Sequence, residues 1–152
     1  MISIKPVLTK ILTYLKGLDT RLTTAETAIT AQTPAVVKVF TATQNIAHNT
    51  PTTVASVTLN KGVYLLHGIG KFASSNAGFR ELRFSLTDGG SAASRNSSVI
   101  SPPITGGVSL MQVTWPYEVT ANGTTIYLVA VQTSNGALDC IYPGITYIKM
   151  RG

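Results

Sequence analysis

One cysteine, two histidines and six acids among 152 residues leave this chain short of most catalytic raw material. A lone Cys140 excludes an internal disulfide and any zinc site built on cysteines. Its apolar neighbours Leu138 and Ile141 predict a buried, inert thiol. His48 and His67 are too few for a histidine metal centre without carboxylate help, so no metal is expected. Beyond residue 35 the acids are Glu81, Asp88, Glu118 and Asp139, and no local spacing pairs two of them as glycoside hydrolysis requires. Asp88, ahead of Gly89-Gly90, has the position of a turn former. Gly68-Ile69-Gly70-Lys71 lacks the spacing and the hydroxyl residue of a phosphate loop, and neither a G-x-S-x-G nor an H-E-x-x-H occurs. Neither catalysis nor a cofactor is expected.

Charge is scarce as well, at 12% of residues, and the net +6 comes from Lys and Arg spread singly through most of the chain. Without a basic cluster interleaved with aromatics, a nucleic-acid footprint is not expected. No apolar run approaches transmembrane length, and no basic-then-apolar leader opens the sequence. The expectation is a protein folded in a cytoplasm and not inserted in a membrane.

What the sequence does contain begins with a seam of apolar residues spaced alternately four and three apart. Leu8, Leu15, Leu22 and Ile29 occupy heptad position a, and Ile4, Ile11, Leu18 and Ala25 occupy d. Leucine at a with isoleucine or leucine at d favours three or four strands over two. Asp19, Arg21 and Glu26 supply charged flanks at e and g. The competing reading is an ordinary amphipathic helix packed on its own domain, and Gly17 and many threonines weaken the helix itself. Pro6 suits a first turn, so a helix is predicted from about Lys5 to residue 31, roughly 40 Å long. Residues 1–34 are therefore expected to form a coiled-coil stalk and linker, with Leu8, Ile11, Leu15, Leu18, Leu22 and Ile29 holding the oligomer together.

From Val36 the helical period gives way to β signals over residues 35–152. Eight strands are predicted: Val36–Ala42, Thr53–Leu59, Val63–Phe72, Arg80–Thr87, Ser97–Ser101, Gly107–Trp115, Thr125–Gln132 and Ile145–Arg151. Turn residues separate them, as in an antiparallel jelly-roll sandwich. Thr125–Gln132 is two-sided without an explanation in the sequence, and Gly107–Trp115 and Ile145–Arg151 are apolar on both faces, whereas a sandwich buries only one. Copies of the same domain would cover the second face. His67 is predicted to pack, and Trp115 to be a core residue at a strand end.

Gly62-Val63-Tyr64-Leu65-Leu66, after Val57-Thr58-Leu59, resembles the Gly-x-Tyr-x-Phe strand of C1q-like and TNF-like trimeric heads, with Leu66 in place of the usual aromatic. A short heptad stalk before such a head is similar to small bacteriophage and prophage fibre or receptor-binding proteins. The resemblance implies a homotrimeric virion protein whose N terminus joins another virion structural protein and whose head contacts a host cell-surface carbohydrate. A purely structural capsid or baseplate decoration protein is the alternative, and a small carbohydrate-active enzyme a weaker one.

Strand parity then locates the binding face. With eight antiparallel passes, the connections Thr43–Thr52, Ala73–Phe79, Pro102–Gly106 and Thr133–Gly144 fall together at the end away from the stalk. They carry Asn45, His48, Asn49, Asn76, Phe79, Asn135 and Tyr142, amides and aromatics of the kind that bond and stack on sugars.

Overall fold

The computed structural model describes residues 5–31, 36–90 and 97–151, with helix side chains described for residues 6–27. The chain divides into two compact units, Met1–Pro34 and Ala35–Gly152.

The first unit is helix α1, Lys5–Ala31. Five of its threonines turn their hydroxyls back to the carbonyl four residues earlier: Thr13 to Thr9 at 3.0 Å, Thr20 to Lys16 at 3.0 Å, Thr23 to Asp19 at 3.0 Å, Thr24 to Thr20 at 2.9 Å and Thr27 to Thr23 at 2.8 Å. The polar group of each is thereby satisfied within the helix. Leu8, Ile11, Leu15, Leu18 and Leu22 lie between 40% and 60% exposed, so the seam is uncovered in the single chain. Ile4 and the side chain of Ile29 fall outside the described residues.

The second unit is a β-sandwich with nine strands among its described residues: β1 Val36–Phe40, β2 Gln44–Ile46, β3 Thr52–Leu59, β4 Gly62–Phe72, β5 Arg80–Ser85, β6 Ser97–Ser101, β7 Ser109–Val119, β8 Thr124–Gln132 and β9 Leu138–Arg151. Sheet one runs β1-β9-β4-β7 with β2 also on β9, and sheet two runs β3-β8-β5-β6. All pairings are antiparallel. First and last strands lie side by side and consecutive long strands alternate between sheets, which is a jelly-roll order.

Nine strands rather than eight arise because Gln44–Ile46, predicted to lie in the connection Thr43–Thr52, forms β2, while the first predicted strand stops at Phe40. The cause lies opposite it, in β9, where Ile69 pairs with Gly144 but Lys71 pairs with Ile141, so Tyr142 and Pro143 together face one residue of β4. This is a bulge, and proline is tolerated there because it has no ladder bond to lose. Thr41 bridges the gap between β1 and β2, its N–H donating to the Pro143 carbonyl at 2.9 Å and its hydroxyl to the Val54 carbonyl at 2.5 Å. Pro143-Gly144 looks like a break in the sequence, yet β9 begins at Leu138 rather than Ile145. Pro116 likewise does not end β7, which continues to Val119 as an edge strand.

The core fills the space between the sheets with Leu66, Phe72, Leu82, Phe84, Met111, Trp115, Ile126, Leu128 and Ile145, among others. Trp115 is packed against Phe84, ring centroids 5.8 Å apart, but sits mid-strand. Gly68 is required at its place, since a Cβ there would lie 2.5 Å from a Leu128 methyl. The Tyr64 hydroxyl of the Gly-x-Tyr strand donates to the Asn60 carbonyl at 2.9 Å across the β3–β4 turn. His67 is half-buried on the outward face of sheet one, not in the core, with Nδ1 3.3 Å from the Thr114 hydroxyl.

Sheet two is buried on its outward face as well where β5 meets the second half of β8, which accounts for the two-sided β8. Val129 and Val131 pair across to Arg83 and Glu81, and all four are buried. Arg83 Nη1 lies 3.0 Å from Glu81 Oε2, and Arg83 Nη2 donates to the Gly90 carbonyl. The segment Leu86–Gly90 is held over this face by Thr53. The Thr53 hydroxyl donates to Asp88 Oδ1 at 2.5 Å and accepts from the Gly89 N–H at 2.9 Å. Asp88 is therefore both turn residue and latch.

Cys140 lies in β9 and is fully buried, and desolvation pushes its thiol up to about 12. The native thiol should therefore stay protonated and alkylate far more slowly than the same thiol in urea. Equal rates in the two states would contradict its burial. Because the folded value lies above the unfolded one near 8.5, this group's stabilisation is complete below that pH and lost as pH rises toward 12.

Candidate functional site

The strand register gathers the connections 47–51, 73–79, 102–108 and 133–137 at one end of the sandwich. The start of β1, the end of β9 and the tight turns at 60–61 and 120–123 lie at the other.

Two buried polar side chains staple the loops of that end in pairs. Gln132, at the end of β8, is fully buried. Its Nε2 donates to the Ile46 carbonyl at 2.9 Å and the Gly136 carbonyl at 2.8 Å. Its Oε1 accepts from the Ser134 N–H at 2.7 Å and from the Ser134 hydroxyl. The Asn49 N–H donates to the Gln132 backbone carbonyl at 2.8 Å. His48 Nδ1 contacts the Ser134 carbonyl, and since a carbonyl only accepts, Nδ1 carries the proton. Loops 47–51 and 133–137 are thereby joined.

Arg80, at the start of β5, is the second staple and is fully buried. Its Nη1 donates to the Pro102 carbonyl at 3.1 Å and its Nη2 to the Ser75 carbonyl at 2.8 Å. The Ser75 N–H donates to the Ile104 carbonyl at 3.0 Å, completing the second pair, 73–79 with 102–108. The two pairs meet where the Phe79 N–H donates to the Thr133 hydroxyl at 2.9 Å and the Thr133 N–H to the Phe79 carbonyl at 3.0 Å. Gly78, at φ +70°, is needed at that crossing, because a Cβ would lie 2.1 Å from the Thr133 carbonyl oxygen. One hydrogen-bonded network thus fixes all four loops before any ligand arrives.

Five of the seven predicted contact residues stand at this end: His48, Asn49, Asn76, Phe79 and Asn135, all exposed. Asn49 adopts φ +54°, a left-handed turn conformation that asparagine tolerates. The other two do not belong to loops. Asn45 is in β2, its Nδ2 donating to Asp139 Oδ1 at 2.9 Å. Tyr142 is in the β9 bulge, because the last strand starts earlier than predicted. Gln132, Thr133 and Arg80 were not singled out from sequence. Each is a polar residue at or next to a strand end, a position where burial leaves no compositional mark.

Gln132→Leu should expose the function of the first staple. It takes the side-chain partner from the Ile46 carbonyl and the Ser134 N–H, while the Gly136 carbonyl keeps the Ser134 hydroxyl at 3.0 Å, and each buried group left unsatisfied costs about 1–3 kcal/mol. Faster amide exchange in 133–137 and 47–51, with the sheets still protected, is the expected result. Unchanged exchange there would show that the loops are fixed by other contacts.

Among the described residues no group of three metal-ligating side chains occurs, and no helix is long and apolar enough to cross a membrane. Of the four acids of the sandwich, Glu81 is paired with Arg83, Asp88 with Thr53 and Asp139 with Asn45. Glu118 is exposed on edge strand β7.

The solved structures that resemble the chain share its fold at low identity. It superposes on the infectious bursal disease virus VP2 subviral particle with a TM-score of 0.54 and 13% identity, and on the Gt strain of that virus with 0.56 and 16%. Each match covers 77% of this chain and 33% of the other, so the chain spans about a third of the length of those viral chains. The body is a jelly-roll-like β-sandwich. Eiger TNF from S. frugiperda superposes at a TM-score of 0.45 and 12% identity, covering 76% of this chain and 92% of that one, too distant to add to the fold assignment. No family model matches the chain, and no curated protein sequence matches it.

Proposed function

We propose that the chain is a homotrimeric virion attachment protein of the phage fibre or spike kind, with a coiled-coil stalk and a head that holds a host cell-surface glycan. The observation that carries this reading is the stapled loop end, preorganised and lined with amides and an aromatic, opposite the end at which β1 begins and β9 finishes. Self-association is supported by two uncovered apolar surfaces. One is the α1 seam, with Leu8, Ile11, Leu15, Leu18 and Leu22 exposed and Ile29 continuing the heptad pattern. The other is the outward face of sheet one, where Val36, Ile148, Leu65 and Pro116 stand in one row across four strands. Viral particles among the structural neighbours fit a virion location, with the N terminus on another structural protein of the particle.

The chain acts by binding and not by catalysis. Three of its four sandwich acids are committed to intramolecular partners, and the fourth, Glu118, is exposed on edge strand β7. A structural decoration protein without a receptor is the second reading, favoured by the apolar surfaces alone.

Binding of the full chain to a printed array of microbial and animal glycans separates the two. Asn49→Ala, Asn76→Ala and Asn135→Ala should weaken binding, and Glu118→Ala, an exposed change on β7, should not. An array with no bound glycan would leave the structural reading in place.

A further inference from the structure

The outward face of sheet one changes character along its length. Toward the start of β1 it is aliphatic, whereas toward the loop end it carries Phe40, Tyr142, Lys71, Asn45 and Asp139. Tyr142 is the anomaly. Its φ is +44°, in the left-handed region where a residue with a Cβ is strained by about 1–3 kcal/mol. It is also 68% exposed, so burial of the ring does not offset that strain. The bulge that imposes it is firmly held, with Pro143 buried and bonded through its carbonyl to the Thr41 N–H at 2.9 Å. The bulge therefore aims an aromatic ring at solvent.

Phe40, one row away, is 56% exposed, and its ring lies against Gly144, where a Cβ would be 2.3 Å from Cδ1. Gly144 lets that ring lie on the strand as a second apolar platform. On the other side of Tyr142, Asn45 Nδ2 donates to Asp139 Oδ1 at 2.9 Å, which fixes a carboxylate and an amide side by side on the exposed face. The second carboxylate oxygen and the amide oxygen are accepting groups that neighbouring hydroxyls could share. Lys71 on β4 lies opposite Ile141, two residues along β9 from Asp139, and carries the opposite charge.

We propose that this wall of the sandwich is a saccharide subsite. The Tyr142 and Phe40 rings take the C–H face of a pyranose, the Asn45–Asp139 pair accepts from vicinal hydroxyls, and Lys71 donates at the rim. A saccharide without net charge fits the oppositely charged Lys71 and Asp139. The inference rests on the attachment reading and locates two of its contacts on the sheet rather than in the loops.

The test uses the full chain on the same glycan array, with light scattering and thermal unfolding alongside. Tyr142→Gly relieves the left-handed strain, so its melting temperature should hold or rise while glycan binding falls about tenfold or more. Asp139→Ala should weaken the same glycans. Binding unchanged in both variants, with loss in Asn76→Ala and Asn135→Ala, would overturn the subsite and leave attachment standing. A fall in scattering mass for Tyr142→Gly would overturn it as well, by placing the ring between copies. Wild-type protein that binds no glycan would sink the attachment reading and the subsite together.

Discussion

Arg83→Met should destabilise the sandwich by about 3–5 kcal/mol, among the largest losses available to a single substitution here. Arg83 is 2% exposed and Glu81 fully buried, their charged atoms 3.0 Å apart on the outward face of sheet two. Removing the guanidinium takes the donor from Glu81 Oε2, beside Val129 and Val131, and from the Gly90 carbonyl. Removing one member of a buried ion pair is the expensive change, more so than removing both. Glu81→Leu combined with Arg83→Met should therefore lose much less than Arg83→Met alone, despite changing more atoms. Urea midpoints at one fixed protein concentration read the comparison. A double variant as unstable as the sum of the single ones would show that the charges are not coupled.

Leu15→Asp with Leu22→Asp should dissociate the stalk. Both residues lie at heptad a on one face of α1 and are exposed in the isolated chain, so a three-stranded assembly would bring six carboxylates to its axis. Like charges at that spacing in a dehydrated seam are strongly unfavourable. The far-ultraviolet helical signal should fall along with the mass, since a 27-residue helix with many threonines is marginal alone. A helical signal and mass equal to wild type would assign association to the sandwich face, where Val36 and Leu65 are exposed.

The helix was legible because its cues are local. Pro6 marks the first turn, and the heptad runs unbroken through the segment that became Lys5–Ala31. The jelly-roll order was legible from turn residues between short β runs, and strand parity alone gathered the four long connections at one end. What misled was proline. Pro143 and Pro116 read as strand ends, but one sits in a bulge and the other on an edge strand, the two places where a missing N–H is harmless. That error moved Tyr142 from strand to loop. Asn45 was misplaced for a related reason, because the three residues of β2 pair only with a part of β9 taken for a connection. Arg80 and Gln132 were invisible since their partners are backbone carbonyls of distant loops, and no side-chain pattern records such contacts. The burial of Glu81 and Arg83 depends on a latch between Thr53 and Asp88, 35 residues apart.

The proposed homotrimer would cover both the α1 seam and the exposed face of sheet one, and multi-angle light scattering on the wild-type chain at micromolar concentration tests it most directly. A mass of about 48 kDa, three times the 16.1 kDa of one chain, is the expected result, and a mass of one chain would contradict the account.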